Sequence, residues 1–517
     1  MKLQKHNSLM VCGTGSDVGK SVLAAGICRL LTRCGLSVAP FKSQNMALNS
    51  AVTPEGGEIG RAQAVQAKAC RVEPHTDMNP VLLKPNSETG SQVIVQGNVI
   101  GNMKVSEYTA YKPRCFEKIR ESFQRLQDRY DFIVIEGAGS IAEINLREHD
   151  IANLKVAEMA DCPAILVADI DRGGVFAQIV GTIELLTTEE KARIAAVVIN
   201  KFRGDASLLD SGIEFVVKRT GVPVLGVVPY FTGFCLPEED SVALTRRAKA
   251  GVKRADKISV GVVRLPHISN YTDFNPLEQE NDVNLFYIDT ASDLQELDLL
   301  ILPGSKSVIT DLLFLKDQGL FKAIQEFSGK IAGICGGFQM LGKRIIDPYL
   351  QESEICETDG LGLLDAETII RPQKQTHLVT ATLAAASKRL APDTAPALSG
   401  YEIHMGETTV DEDLTPFANI SSRSGKPVTV ADGAVSADGR IFGTYLHGLF
   451  DNHSFRTSFL NQIRRKKGLP LQSEAMAADP FDLLADHLEQ YLDMNMLYRI
   501  CGISPPDAQP PNLEAAP

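Results

Sequence analysis

"MVCGTGSDVGKSVLAAGI" (Met10–Ile27) runs from a short apolar stretch through a glycine loop and a Lys-Ser pair into a helical pattern. From Gly13 to Ser21 the spacing is G-x5-G-K-S, one residue longer than the usual phosphate loop. The physics tolerates the extra residue. Backbone amides along Gly13, Thr14 and Gly19 can cradle phosphate oxygens at a helix start, where the helix dipole adds to the attraction. Lys20 is placed to reach the terminal phosphates of ATP, and the Ser21 hydroxyl to ligate Mg²⁺. A second apolar run, "DFIVIEGAGS" (Asp131–Ser140), ends in Glu136. A carboxylate at the carboxyl end of such a strand suits a hard cation beside phosphates, so Glu136 joins Ser21 as a metal candidate.

Outward from this loop, apolar runs alternate with helical stretches. Ser8–Cys12, Ser37–Phe41, Asp131–Glu136, Ala164–Ala168, Ala195–Asn200 and Val224–Val228 are rich in Val, Ile and Leu, as strands buried on both faces should be. Lys20–Cys34 and Pro113–Tyr130 read as helices. The pattern predicts a doubly wound α/β domain over 1–245. A basic stretch, 246–257, reads as a linker, and alternation restarts at Ile258. Ile258–Val263, Leu297–Leu302 and Lys330–Ile334 predict a second α/β domain over 258–503. It includes a hairpin at Asp438-Gly439 and a closing helix Phe481–Cys501 after an Asp479-Pro480 cap. The Pro-rich tail 504–517 reads as disordered.

The 517 residues suffice for two full cores, and ten scattered cysteines without a C-x-x-C pair fit a reducing cytoplasm. No window is apolar enough for a membrane span or a signal peptide. A net charge of −12 argues against nucleic acid as a partner and leaves small molecules as ligands. It says nothing of oligomeric state.

The second domain carries "GICGGFQMLG" (Gly333–Gly342), a cysteine on a strand-to-helix turn flanked by glycines. Such an elbow exposes a nucleophile, and the Gly336 amide can face a developing oxyanion. His447 in "GTYLHGLF" ends a late strand and is the candidate base for Cys335. "LILPGSK" (Leu300–Lys306) offers a second oxyanion amide at Gly304. Together these resemble class I glutamine amidotransferases, which implies thioester formation on Cys335 and release of ammonia from glutamine. The resemblance departs at Leu449, where most such triads place an acid two residues after the histidine. Glu402 and His404 are possible helpers; otherwise a Cys–His dyad remains.

An ammonia-making domain fused to a phosphate loop reads as an ATP-dependent amidoligase. Phosphorylation turns an inert carboxylate into an acyl phosphate, and ammonia made away from bulk water stays unprotonated. The phosphate loop itself resembles that of dethiobiotin synthetase-like ATPases. "PFKSQNMALNS" (Pro40–Ser50), "GEIGRAQAVQAKAC" (Gly57–Cys70), "EPHTDMNPVLLKP" (Glu73–Pro85), "SQVIVQG" (Ser91–Gly97), "EGAGSIAEINLREHDIAN" (Glu136–Asn153), "DIDRGGVFA" (Asp169–Ala177) and "NKFRGD" (Asn200–Asp205) closely resemble the cobyric acid synthase family. The resemblance implies amidation of the b, d, e and g carboxylates of adenosylcobyrinic acid a,c-diamide with ATP and glutamine, in cobalamin biosynthesis. With it, Asn200 and Lys201 are expected at the nucleotide. Lys42, Gln44, Asn45, Arg61, Gln63, Lys84, Arg147 and Arg172 supply cations and amides suited to a ring bearing carboxylates and amides. Asp150 is the candidate for orienting the reacting carboxylate or ammonia. A nearby alternative is the a,c-diamide synthase; a different class is the partitioning-type ATPase switch, which lacks a Cys–His glutaminase domain.

Overall fold

Six apolar runs of the first half become one parallel sheet in the computed structural model, in the order Val224–Pro229, Ile194–Phe202, Ala164–Asp169, Ser8–Gly13, Phe132–Glu136, Val38–Phe41. Strands Ser8–Gly13, Phe132–Glu136 and Ala164–Asp169 are buried along their whole length, which explains why their sequences do not alternate. From Ser8–Gly13 the chain first builds one side of the sheet and then the other. The crevice where that order reverses lies at the carboxyl ends of the three central strands, where such sheets bind ligands.

The structure describes residues 6–85, 90–231, 256–393, 397–473 and 479–504. The expected linker and tail lie outside them, apart from Asp256, Lys257 and Ser504. Two compact units emerge: one takes in Met1–Met46, Ile59–Leu236 and Ala477–Pro517, the other Ala47–Glu58 and Pro237–Met476.

This division departs from the sequence reading at the carboxyl end. The last helices were expected to continue the second domain, yet Leu484, Ala485, Leu488 and Leu497 share a core with Leu23 and Ile27 of the helix Lys20–Arg33. Gly26 permits this approach, since a Cβ there would stand 2.3 Å from Leu488 Cδ1. Arg29, buried beneath, donates to Asp479 at 2.9 Å. The closing helix is also two helices, Pro480–Tyr491 and Met494–Cys501. Asp493 interrupts the run because its carboxylate caps the second helix, accepting from the Met496 amide at 2.9 Å.

The second unit repeats the parallel design: Val283–Ile288, Ile258–Val263, Leu299–Leu302, Lys330–Ile334 and Ile441–Thr444, with Ala434–Val435 antiparallel at the edge. The hairpin turns at Asp438-Gly439 as its sequence requires; Asp438 Oδ1 accepts from the Arg440 amide at 2.9 Å and Gly439 has φ 70°. Beside it stands an antiparallel sheet centred on Ala366–Leu383, which pairs with Leu398–Val410 and Ala418–Arg423. The first unit likewise adds a small sheet of Gln44–Met46, Val81–Pro85, Gly90–Val95 and Asn98–Lys104. No helix among the described residues is long and apolar enough to cross a membrane.

Candidate active sites

The phosphate loop lies in the crevice. Gly19 takes φ 97°, a left-handed conformation that a side chain resists, and hands the chain to helix Lys20–Arg33. Gly13 is needed for a different reason: a Cβ there would meet Val18 Cγ2 at 2.8 Å. Lys20 Nζ donates to the carbonyls of Gly15 (2.8 Å) and Gly139 (2.9 Å), so the ammonium is folded back along the loop. Thr14 is fixed by its amide on the Val167 carbonyl at 2.9 Å. From the neighbouring strand, Asn200 donates to the Val18 carbonyl at 2.9 Å. Lys201 bonds the Asp17 carbonyl and, at 2.9 Å, Asp169. Both residues thus frame the loop.

Glu136 is 1% exposed and densely partnered. Ser21 Oγ donates to Oε1 at 2.7 Å, Lys42 Nζ donates to the same oxygen at 2.9 Å, and Gln66 donates to Oε2. Burial pushes this carboxyl up, but Lys42 and the Ser21 and Gln66 donors outweigh it and hold it below the ordinary range. Among the described residues no three His, Cys, Asp or Glu side chains group around a metal position. A hydroxyl and one carboxylate side by side instead suit Mg²⁺, which keeps waters and shares phosphate oxygens.

Asn45 Nδ2 donates to Gln63 Oε1 at 3.0 Å, and both surround Gly60, where a Cβ would strike them at 2.4 and 2.7 Å. Gln44 accepts from Tyr108 at 2.6 Å, Arg61 opens helix Arg61–Ala69, and Lys84 is buried in its strand. Arg172 sits at the loop, 3.1 Å from Asp17. Lys42, expected on substrate, is buried and paired with Glu136. Arg147 donates to the Leu185 carbonyl at 2.7 Å and faces Glu190 at 3.6 Å, so its contacts lead away from the phosphate loop. Asp150 Oδ1 accepts from the amides of Ala152 (2.8 Å) and Asn153 (3.0 Å). It meets the loop through Asn153, whose amide group brackets Ala138 next to Gly139.

In the second unit, Cys335 follows its strand at φ 53° and ψ −110°, a strained conformation at the strand-to-helix turn, and its side chain is buried. The glycines around it are steric necessities. A Cβ on Gly337 would fall 1.9 Å from the Leu302 carbonyl oxygen, and one on Gly336 2.8 Å from the Ser305 amide nitrogen. Gly304 borders the same space, since its Cβ would lie 3.4 Å from His447 Cε1. The two expected oxyanion glycines therefore flank Cys335 and His447.

His447 is fully buried. Its Nδ1 lies 2.6 Å from Asp273 Oδ2, whose other oxygen accepts from the Gly448 amide at 3.1 Å. Burial alone pushes the imidazole down; the Asp273 carboxylate and the Cys335 side chain override it and hold its pKa up at about 10. With Nδ1 engaged, Nε2 is left for the thiol. Asp273 is the acid that sequence reasoning missed. It stands in "NYTDFNP" (Asn270–Pro276), on a 3₁₀ turn far in sequence from Leu449. The available signal was a single acid within a polar turn just after the domain's first strand. Glu402 is not that acid: it forms a two-pronged ion pair with Arg423 at 2.7 and 2.9 Å. His404 stacks on Tyr445 at 3.8 Å.

Residues 9–241 match the CobQ/CobB/MinD/ParA nucleotide binding domain, and residues 259–455 the CobB/CobQ-like glutamine amidotransferase domain. A cobyric acid synthase of Syntrophobacter fumaroxidans is 51% identical over 96% of this chain and 98% of its own length. One from Moorella thermoacetica is 47% identical over 96% of this chain and 98% of its own. One from Photorhabdus laumondii is 50% identical over 95% and 97% respectively.

Proposed function

The chain belongs to the cobyric acid synthase family, and from that premise we propose that it amidates the b, d, e and g carboxylates of adenosylcobyrinic acid a,c-diamide, using ATP and glutamine. The observation that carries this reading is the presence, in one chain, of a buried Cys335–His447–Asp273 arrangement and a phosphate loop whose serine touches a buried carboxylate.

In the second unit the Cys335 thiolate attacks the side-chain amide carbon of glutamine. The tetrahedral oxyanion is received by the amides at Gly304 and Gly336. His447, charged through Asp273, donates its proton to the departing ammonia and then takes one from the water that hydrolyses the thioester. Glutamate leaves and the thiol is restored.

In the first unit a substrate carboxylate oxygen attacks the terminal phosphorus of ATP, giving an acyl phosphate and ADP. Ammonia then attacks the acyl carbon and phosphate departs with the bonding pair. Lys20, Asn200 and Lys201, with the amides from Gly13 to Gly19, hold the nucleotide. Ser21 and Glu136 would hold Mg²⁺, which would supply charge neutralisation at the phosphates. Lys42 keeps Glu136 ionised for that purpose, a role different from substrate binding. Asn45, Gln63 and Arg172 bind the corrinoid in this reading, on the strength of the family resemblance, and Asp150 acts through Asn153 to shape the loop. The site of action is the cytoplasm.

The test compares wild type with Cys335→Ala on adenosylcobyrinic acid a,c-diamide and ATP, with either glutamine or high ammonium, products being read by mass. The variant should lose the glutamine reaction and keep the ammonium one. Failure of both proteins with both nitrogen sources refutes the corrinoid assignment; glutamine use by the variant refutes the role of Cys335.

A further inference from the structure

The hairpin Ala47–Glu58 comes from the first half of the sequence yet belongs to the unit that holds Cys335. Its turn closes through Thr53, whose amide donates to the Gly57 carbonyl and whose carbonyl accepts from Gly56, each at 2.9 Å. Three of its residues are anchored within that unit. The Ser50 amide donates to Asn270 Oδ1 at 3.0 Å, and Nδ2 of the same asparagine stands 3.5 Å from His447 Nε2. Asn270 holds a left-handed backbone at φ 51°, a conformation asparagine tolerates, and this aims its amide. Val52, 1% exposed, forms a separate apolar cluster with Tyr401, Ile403 and Leu378. Glu58 and Lys374 make a buried ion pair.

Tyr401 is the more telling neighbour. Its ring stacks on the His447 imidazole with centroids 5.1 Å apart. Its backbone exchanges hydrogen bonds with His447 at 2.9 and 3.2 Å, and its hydroxyl donates to Asp273 at 3.4 Å. The Ile403 carbonyl lies 3.5 Å from Cys335 Sγ. Each of two hairpin residues is therefore one side chain away from the catalytic imidazole, by independent routes.

We propose that the Ala47–Glu58 hairpin is a positioning element for His447 in glutamine hydrolysis, acting through Asn270 and Tyr401; the hydrolysis itself rests on the functional reading above. Misplacing a catalytic group by about 1 Å costs up to roughly 10²-fold in rate, so small movements suffice.

The test uses the full chain as Val52→Ala and Lys374→Met, with Lys374→Arg as the conservative control. Glutamate release from glutamine is measured alongside ammonium-dependent amidation of adenosylcobyrinic acid a,c-diamide. In Val52→Ala and Lys374→Met the kcat of glutamate release should fall about 10-fold at unchanged KM. Ammonium-dependent amidation should match wild type, and Lys374→Arg should recover most of the loss. Wild-type kcat in both variants overturns the proposal, as does parallel loss of both reactions. If wild type amidates no corrinoid, the corrinoid assignment fails, and glutamate release still decides whether the hairpin positions His447.

Discussion

Asp273 meets His447 through one short contact, 2.6 Å from Nδ1, and the consequences of that contact are measurable. In Asp273→Asn the imidazole loses the charge that opposes its burial. Glutamine-dependent turnover should drop by roughly 10² or more, with ammonium-dependent turnover unchanged. The basic limb of the glutamine kcat/KM profile should move to lower pH, because the proton on His447 is no longer held up to about 10. Stability follows the same sign. A histidine raised from 6.5 to about 10 contributes fully below 6.5, and its contribution fades as pH rises through 10. The Tm gap between wild type and Asp273→Asn should therefore narrow across that window. An unshifted basic limb sinks this account of Asp273. At this scale the sequence exposed Cys335 and His447, because an elbow and a strand end have local grammar. It hid Asp273, because an acid brought in from a distant turn leaves no periodic trace. Lys42 shows another limit: its ion pair with Glu136 joins residues far apart in sequence, and no local pattern reveals it.

The elements are set by burial on two faces or by a cap. The all-apolar strands of both sheets were legible for that reason. The sheet centred on Ala366–Leu383 was not, since its exposed middle interrupts the alternation that marks a strand. The helix pair Pro480–Tyr491 and Met494–Cys501 illustrates the difference between recognising an element and placing it. Its cap and helical run were readable; its partner, helix Lys20–Arg33, lies at the other end of the chain. Leu488→Ala removes the side chain that fills the space above Gly26 and should cost the first unit about 2–5 kcal/mol. Urea unfolding monitored in that unit checks it, and a loss under about 1 kcal/mol means the helix is only loosely seated.

At the scale of the whole molecule, two units are interleaved along one chain, each borrowing a segment from the other's stretch of sequence. A chain ending at Ser473 lacks the helices that cover Lys20–Arg33. It should lose ATP- and ammonium-dependent amidation while still hydrolysing glutamine; retained amidation would show that those helices are dispensable for the phosphate loop. The sequence by itself determined both α/β sheets, the phosphate loop, the cysteine elbow and the family, because these rest on contiguous residues with fixed local geometry. Only the tertiary structure decided which acid holds His447, which unit owns the last helices, and that Ala47–Glu58 sits against the glutaminase residues. Those are contacts between residues far apart in sequence. They are selected by burial and charge pairing once the chain has closed, and no local pattern encodes them.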